Sequence, residues 1–339
     1  MPIPPRFWPG SEVRLEPRTA CRVAAHLFFS SIIRWRLGLA IALAAAFGAA
    51  GRTDILELPV TEVVSGIFVH NGVHEEASAA NEDGIANIGF IIGNDAVAVI
   101  DPGGSVAEGR ALRAAVRART DRPIRYVILT HIHPDHILGA AAFRGDHPEF
   151  VGHDKLPGAL NQRGDYYLRR LRDALGDEAN GSEVVLPTRL VADRLELDLG
   201  GRRLSVQAYR PAHTDNDLTV YDHETRTFWL GDLLFVDRIP VIDGSLIGWL
   251  DQLNELTAIP AERAIPGHGP VSVPWPAGAA PERRYLEAVV HDTRKAIKSG
   301  IGIANAYRQV ANSERGNWLL FDEYHPRNVT AAYKELEWE

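Results

Sequence analysis

The chain contains very little sulfur, since its 339 residues include one cysteine, Cys21, and one methionine, Met1. A single cysteine excludes an internal disulfide framework, a four-cysteine zinc site and an iron–sulfur cluster. Runs of basic residues are also missing, and 36 Lys and Arg residues against 44 Asp and Glu residues give a net charge of -8. Binding to nucleic acid requires a positive surface that displaces counterions, so we expect no nucleic-acid partner. The 30 glycines and 21 prolines show no repeat period, which excludes solenoid and low-complexity chains.

Long apolar runs are absent except near the N-terminus. Residues 37–50 read LGLAIALAAAFGAA and follow Arg34 and Arg36. This stretch is shorter than the about 20 residues that span a bilayer, and a basic region, a short apolar run and small residues are typical of a secretory signal peptide. We predict a signal peptide over residues 1–50 with an over-extended N-terminus, and the alternative is an uncleaved anchor or a buried helix. The expected location is periplasmic or secreted, with no stable membrane span after processing.

Strand-like and helical patterns alternate from Val63 onward. The runs VVSGIFV, NIGFIIG and AVAVIDPGG are apolar and are bounded by Gly, Asn or Asp, which is typical of strands. Ser105 precedes a helical pattern that ends at Arg119, and residues 124–130 predict a buried strand that leads directly into His131. An α+β fold follows, with most of the polar side chains at strand ends, where ligands commonly bind.

The composition changes after Val273. The run PWPAGAAPE is rich in Pro and Ala and predicts a linker, and an amphipathic helical pattern follows over residues 283–298. We therefore predict a main domain at residues 51–275 and a helical C-terminal extension at residues 276–339.

One short segment, THIHPDH, concentrates side chains that bind metals. His131 and His133 lie two residues apart at the end of a strand, so they project to the same side. The turn at Pro134 can bring Asp135 and His136 around to face them. Imidazole and carboxylate groups suit Zn²⁺ or Fe, and one metal cannot readily use all four side chains. The segment therefore predicts two adjacent metals.

Three later residues extend this set. His213 lies in RPAHTDND after a predicted strand, Asp232 lies in FWLGDLLF, and His268 lies in IPGHGPV. Taken singly, a histidine is more often structural and an aspartate at a strand end is commonly a turn former. Their order and sequence contexts favour a shared site.

The HxHxDH motif, the later His before Thr-Asp, the Gly-Asp after an apolar strand and the final Gly-His-Gly resemble those of the metallo-β-lactamase-fold hydrolases, over about residues 63–273. The resemblance implies a four-layer αββα sandwich, with residues 51–275 as the catalytic domain and the metals along one edge. It also implies the following ligands: His131, His133 and His213 for the first metal, Asp135, His136 and His268 for the second, and Asp232 bridging both. Asp101, in VAVIDPGG, matches an early aspartate that orients the histidine loop without touching metal, and the alternative is a simple turn residue.

A closer resemblance extends over nearly the whole chain after the signal peptide. Segments such as THIHPDHILGAAAF, RIPVIDGSLIGWL and the terminal HPRNVTAAYKELEWE are similar to those of the quinoprotein relay system zinc metallohydrolases. This resemblance implies an association with a periplasmic quinoprotein dehydrogenase or a sulfur-oxidation system.

These features together predict an exported dinuclear zinc-dependent hydrolase of a small ester, thioester, lactone or related substrate. Two Zn²⁺ ions, with Fe as the alternative, would hold a bridging hydroxide, and Asp135 would act as the catalytic residue that orients it and moves its proton. One alternative is a class B-like β-lactamase, although the common types carry Cys or Ser where Asp232 stands. Others are a glyoxalase II-like thioester hydrolase and a non-catalytic metal-binding accessory protein.

Three loops are candidates for the substrate pocket, at residues 70–75, 163–167 and 242–245. An ordinary surface loop is the alternative for each of them. His153 is expected to cap or pack at a turn between a strand and a helix, and His291 is expected to be structural.

Overall fold

The structure, a computed structural model, describes residues 57–339, so the predicted signal peptide lies outside the described residues. Its first sheet has seven strands in sequence order, antiparallel from β1 to β4 and parallel from β4 to β7. These strands are β1 Thr61–Val64, β2 Ile67–His70, β3 Ile88–Ile92, β4 Val97–Ile100, β5 Ile124–Ile128, β6 Glu149–His153 and β7 Arg189–Val191.

The second sheet has six strands in the order β13-β12-β11-β10-β9-β8. All neighbours in it are antiparallel except β11 and β12, which are parallel. These strands are β8 Arg194–Asp198, β9 Arg203–Ala208, β10 Leu218–Asp222, β11 Thr227–Phe235, β12 Arg263–His268 and β13 Val273–Pro274.

Seven α-helices accompany the sheets in the described part of the chain. They are α1 Val106–Arg119, α2 Pro134–Ile137, α3 Leu156–Leu175, α4 Leu246–Thr257, α5 Ala280–Lys298, α6 Ile303–Ala306 and α7 Phe321–Leu336. The predicted start of α1 is confirmed, because the Ser105 hydroxyl accepts a hydrogen bond from the Glu108 amide at 3.2 Å. None of the helices in residues 57–339 has both the length and the apolar character needed to cross a bilayer.

Three apolar cores separate the layers. Side chains such as Ile91 and Trp229 fill the space between the two sheets. Leu112 of α1 belongs to a second core on the outer face of the first sheet, and Trp249 of α4 and Val329 of α7 belong to a third core on the second sheet. The predicted four-layer αββα arrangement is confirmed, and the C-terminal helices form part of one outer layer.

Two local predictions differ from the structure. The run VVSGIFV is not one strand, because Gly66 takes a φ of +73° and turns β1 into β2 as a hairpin. The predicted linker after Val273 is packed against the protein, since Trp275 is buried and its indole N–H donates to the Ile259 carbonyl at 3.2 Å. Burial of the Trp275 side chain stabilises the packed conformation of this segment, although its Pro and Ala composition is typical of a linker.

Candidate metal centre

The seven predicted metal ligands lie together at one edge of the two sheets. Their side chains form two groups, and within each group one potential ligand atom per residue lies within 4.8 Å of the others. The groups are His131, His133, His213 and Asp232, and Asp135, His136 and His268. His268 is the last residue of β12, Asp232 lies within β11, and His213 lies in the loop between β9 and β10. His131 and His133 lie in the loop after β5, and Pro134 begins the one-turn helix α2, which carries Asp135 and His136.

Asp232 stands between the two groups. Its Oδ2 atom lies 3.4 Å from His213 Nε2 and 3.7 Å from His131 Nε2, both in the first group. The same oxygen lies 3.4 Å from His268 Nε2, and Oδ1 lies 3.1 Å from His136 Nε2, both in the second group. A single carboxylate therefore faces both groups, as a bridging ligand must.

Each histidine of the centre uses its other ring nitrogen as an anchor. The anchoring pairs are His131 Nδ1 with Thr130 Oγ1 at 3.0 Å, His136 Nδ1 with Asp101 Oδ2 at 2.8 Å, His213 Nδ1 with the Val241 carbonyl at 2.7 Å, His268 Nδ1 with the Ile85 carbonyl at 2.8 Å, and His133 Nε2 with Asp243 Oδ2 at 3.2 Å. Because a carbonyl only accepts, His213 and His268 carry a proton on Nδ1 and turn Nε2 toward the centre.

Asp101 lies behind the centre at the end of β4. It is fully buried and has a φ of +52°, a left-handed conformation that Asp tolerates better than most residues. Its carboxylate accepts from the Thr130 amide and the Thr130 hydroxyl, both at 2.8 Å, and from His136 Nδ1. Asp101 thus fixes the start of the histidine loop and the orientation of the His136 ring.

Several ligand atoms have no protein partner. His131 Nε2, His136 Nε2 and Asp232 Oδ1 are buried without a hydrogen bond from any described residue. His133 Nδ1 and His213 Nε2 lie 2.9 Å apart, with the His213 lone pair directed at the other ring. Buried polar atoms that stay unpaired cost free energy, which a bound cation removes. The imidazole and carboxylate donors fit divalent metals such as Zn²⁺ or Fe²⁺.

The protonation states also suit metal binding. Burial lowers the pKa of His213 to about 3 and that of His131 well below its usual value, so both rings are neutral at pH 7. Burial alone would raise the pKa of Asp232, but His268, His136 and His131 hold it well below its usual value. In the same way, His136 and His268 keep the pKa of the buried Asp135 low. The two carboxylates are therefore ionised.

A cavity of about 300 Å³ opens beside the centre, and Asp135, Asp232 and His268 form part of its wall. Of the three predicted pocket loops, residues 163–167 contribute Tyr166 and Tyr167 to the wall. Residues 242–245 reach the centre through Asp243, which bonds His133, and residues 70–75 contribute nothing to this wall.

The structure also places His153 and His291, for which the sequence predicted structural roles. His153 Nδ1 accepts from the Lys155 amide at 3.1 Å, so this histidine caps the turn before α3 as predicted. The side chain of His291 is 78% exposed on α5 and lies away from the cavity.

Arg238, Tyr324 and Arg327 are among the cavity residues that the sequence did not indicate. Arg238 follows β11 by three residues, and Tyr324 and Arg327 come from α7, the last helix of the chain. The only sequence feature that could have pointed to Arg238 is its position six residues after Asp232, at the end of an apolar run. No local pattern places α7 beside the centre.

Helix α7 also holds the loop that anchors His213. The Asn328 side-chain amide donates to the Pro240 carbonyl at 2.6 Å and accepts from the Ile242 amide at 3.0 Å. The carbonyl of Val241, between these two residues, is the acceptor for His213 Nδ1. The C-terminal extension therefore positions a predicted metal ligand, although the sequence indicated no role for it at the site.

Comparison with known proteins gives one family match. The family model described as the metallo-beta-lactamase superfamily matches residues 81–268. A linear primary-alkylsulfatase from Pseudomonas sp. (strain ATCC 19151) is 25% identical over 236 residues, covering 59% of this chain and 43% of that protein. A beta-lactamase-like protein 2 homolog from Caenorhabditis elegans is 26% identical over 184 residues, covering 54% of this chain and 55% of that protein. The chain thus spans about half the length of the curated relatives that it matches.

Solved structures share the fold at lower identity. A metallo-beta-lactamase from Pontibacter korlensis aligns with a TM-score of 0.56 and 18% identity, covering 68% of this chain and 99% of that one. A double mutant of a sec-alkyl sulfatase aligns with a TM-score of 0.61 and 16% identity, covering 83% of this chain and 51% of that one. At such identities the likeness shows the fold alone.

Proposed function

Because the chain belongs to the metallo-beta-lactamase superfamily, we propose that it is an exported, dinuclear zinc-dependent hydrolase of a small ester, thioester, lactone or related substrate. The observation that carries this proposal is the pair of ligand groups joined by Asp232. When bound, two divalent metals supply a hydroxide nucleophile at neutral pH and polarise the oxygen of the scissile group.

The ligand assignment follows the two groups. His131, His133 and His213 would hold one metal, Asp135, His136 and His268 would hold the other, and Asp232 would contact both. His131 and His213 are neutral and the two carboxylates are ionised, as metal binding needs. Burial opposes protonation of His136 and His268, but Asp232 raises the pKa of both rings, which would each give up a proton to a bound metal. Fe in place of Zn²⁺ is the alternative that the same donors allow.

Asp135 is the carboxylate of the centre that is best placed to act on substrate. Its side chain is 11% exposed and lines the cavity, whereas the Asp232 side chain is 3% exposed. The Asp135 Oδ2 atom lies 3.3 Å from His268 Nε2, which keeps the carboxylate ionised and oriented. In the proposed reaction Asp135 orients the attacking water, accepts its proton and returns a proton to the leaving group.

Metal analysis and a hydrolysis panel test this proposal together. The purified protein is assayed for metal content and against nitrocefin, thioesters, lactones, phosphodiesters and an alkyl sulfate, the last because one relative is named an alkylsulfatase. About two metals per chain and turnover of one ester class are expected. His131→Ala should lose metal and turnover together, and His291→Ala is the matched control because its ring is exposed.

The alternatives predict different results. Efficient nitrocefin turnover would favour a β-lactamase, and a fully metallated protein that hydrolyses nothing in the panel would favour an accessory role. A His131→Ala protein with full metal content and full activity would contradict the ligand assignment.

Export is proposed from the N-terminal sequence pattern, and the association with a periplasmic quinoprotein or sulfur-oxidation system is proposed from the sequence resemblance alone. Cell fractionation and N-terminal sequencing of the full chain test export. A mature N-terminus near Gly51 in the periplasmic fraction is expected, and an intact N-terminus in the cytoplasm would contradict the proposal.

A further inference from the structure

Arg238 is an unusual residue in the wall of the cavity. It is 3% exposed, and its guanidinium group makes two hydrogen bonds to neutral acceptors, the Glu75 carbonyl and the Tyr324 hydroxyl, both at 3.2 Å. The Nε–H group is buried without a partner among the described residues. A guanidinium group has five N–H donors, so most of its capacity is unused.

Arg202, in contrast, has the anionic partner that Arg238 lacks among the described residues. Residues 57–339 bury two arginines, and Arg202, which is 4% exposed, donates to both carboxylate oxygens of Asp222 at 2.9 Å. No carboxylate within residues 57–339 forms an ion pair with Arg238. A buried charge is normally paired because desolvation is costly, so within this part of the chain Arg238 lacks the kind of anionic partner that Arg202 has.

The fold holds this cation in place. Tyr324 of α7 accepts a hydrogen bond from the guanidinium group, whose carbon lies 5.4 Å from the centre of the Tyr324 ring. The backbone of Arg238 forms a bridge with Leu319, just before α7. Two sides of Arg238 are thus fixed by the C-terminal segment, while the residue lines the same cavity as Asp135 and His268.

None of the described carboxylates in the wall forms an ion pair with Arg238, since Asp135 and Asp232 face the histidines of the centre. Arg170 and Arg327 add two exposed guanidinium groups. Glu76 is exposed, and burial raises the pKa of Asp83 well above its usual value, which favours the neutral acid. Apolar residues, among them Leu171, Phe235 and Val241, form much of the remaining wall.

We infer that Arg238 binds an oxyanion of the substrate, a carboxylate or a sulfate group, while the apolar wall of the same cavity holds its hydrocarbon portion. This inference rests on the proposed function, because it names the class of ester that the metal centre would hydrolyse. The planar guanidinium group can donate two parallel hydrogen bonds to such a group. Neutral esters would lack this contact.

Calorimetric titration of the metal-loaded protein tests the inference without turnover. The probes are hexane-1-sulfonate and hexanoate as anions that cannot be hydrolysed and 1-hexanol as the neutral analogue, and the metal content is matched between variants. We expect the Arg238→Gln protein to bind the anions about 10- to 100-fold more weakly and to bind hexanol unchanged, since hydrogen bonds to charged groups are worth about this much. Arg169→Gln, which removes an exposed arginine of α3 outside the cavity wall, should leave all three affinities unchanged.

The two anions identify the source of the oxyanion. Tighter binding of hexane-1-sulfonate would assign a sulfate ester, and tighter binding of hexanoate would assign a carboxylate-bearing ester, thioester or lactone. An Arg238→Gln protein that binds the anions as the wild type does, or that loses hexanol binding to the same extent, would overturn the inference.

Two milder variants cover the case in which Arg238→Gln does not fold. Arg238→Lys keeps the charge but removes the planar pair of donors, so it should bind the anions about tenfold more weakly. Tyr324→Phe removes one acceptor that holds the guanidinium group and should weaken anion binding severalfold. Unchanged anion affinity in both variants would also overturn the inference.

The inference and the proposed function can fail separately. Anion binding that depends on Arg238, in a metallated protein that hydrolyses no ester, would refute the hydrolase and keep the anion site. Turnover of an anionic ester with the same KM in wild type and Arg238→Gln would refute the anion site and keep the hydrolase.

Discussion

Replacing Asp101 with Asn tests the orientation of the second ligand group. Asp101 accepts three hydrogen bonds at 2.8 Å, from the amide and hydroxyl of Thr130 and from His136 Nδ1. Asn keeps the preference for the left-handed φ of +52°, so the backbone is unperturbed, but one oxygen becomes an NH₂ group. The Thr130 hydroxyl can rotate to accept from this group, whereas the Nδ1–H of His136 cannot.

The His136 ring must then leave an N–H unpaired or move its proton to Nε2, the atom that faces Asp232. Either outcome costs about 1.5–3 kcal/mol, the range for a hydrogen bond to a charged group. Loss of a partner that orients a metal ligand lowers metal affinity about 10- to 100-fold. We therefore expect the Asp101→Asn protein to retain about one metal per chain under chelator concentrations at which the wild type retains two.

Competition with a chromophoric chelator and elemental analysis measure this difference. Asp237→Asn is a matched control, because Asp237 also has a positive φ, of 64°, but is exposed and binds no ligand histidine. Two metals bound with wild-type affinity by Asp101→Asn would refute the conclusion that Asp101 orients His136.

Two further predictions concern packing at the centre and acid stability. A Cβ at Gly267 would lie 1.9 Å from Asp232 Oδ1, so Gly267→Ala should displace the bridging carboxylate and lower metal content, whereas Gly145→Ala, with nothing within 4 Å, should not. His325 is 2% exposed, and burial lowers its pKa to about 4 from 6.5. The unfolded chain binds more protons in this range, so about 3 kcal/mol of stability, present above pH 6.5, is lost as the pH falls toward 4. Urea unfolding of His325→Gln should show a shallower pH dependence, and identical slopes would contradict this.

Much of the fold and of the ligand set was predictable because the relevant information is local. The histidine motif places four ligand-type side chains within six residues, and alternating strands and helices indicate where such residues meet. Asp101 was related to the motif through the family resemblance, and the structure gives the physical reason, since β4 and β5 are parallel neighbours and bring Asp101 beside Thr130. Contacts between strand ends at one edge of a sheet can be predicted without knowing how distant segments of the chain pack.

The rest of the cavity was not predictable for the opposite reason. Arg238 and Tyr324 meet across 86 residues, and their contact depends on how α7 packs on the second sheet. Asn328 likewise acts on a loop that lies 88 residues before it. Neither contact leaves a periodic pattern or a motif in the sequence. The linker prediction was wrong for a similar reason, because the burial of Trp275 depends on packing that the local composition does not show.

The position of Asn328 near the end of the chain has a consequence for the order of assembly. The carbonyl that orients His213 belongs to a loop that Asn328 fixes, and Glu335 accepts from the Ser245 hydroxyl at 2.6 Å on the same side of the molecule. These contacts cannot form until synthesis has passed residue 335. On the proposed ligand assignment, a metal that His213 holds would be captured only after α7 has been made and packed, and nascent chains without α7 would not yet compete for it.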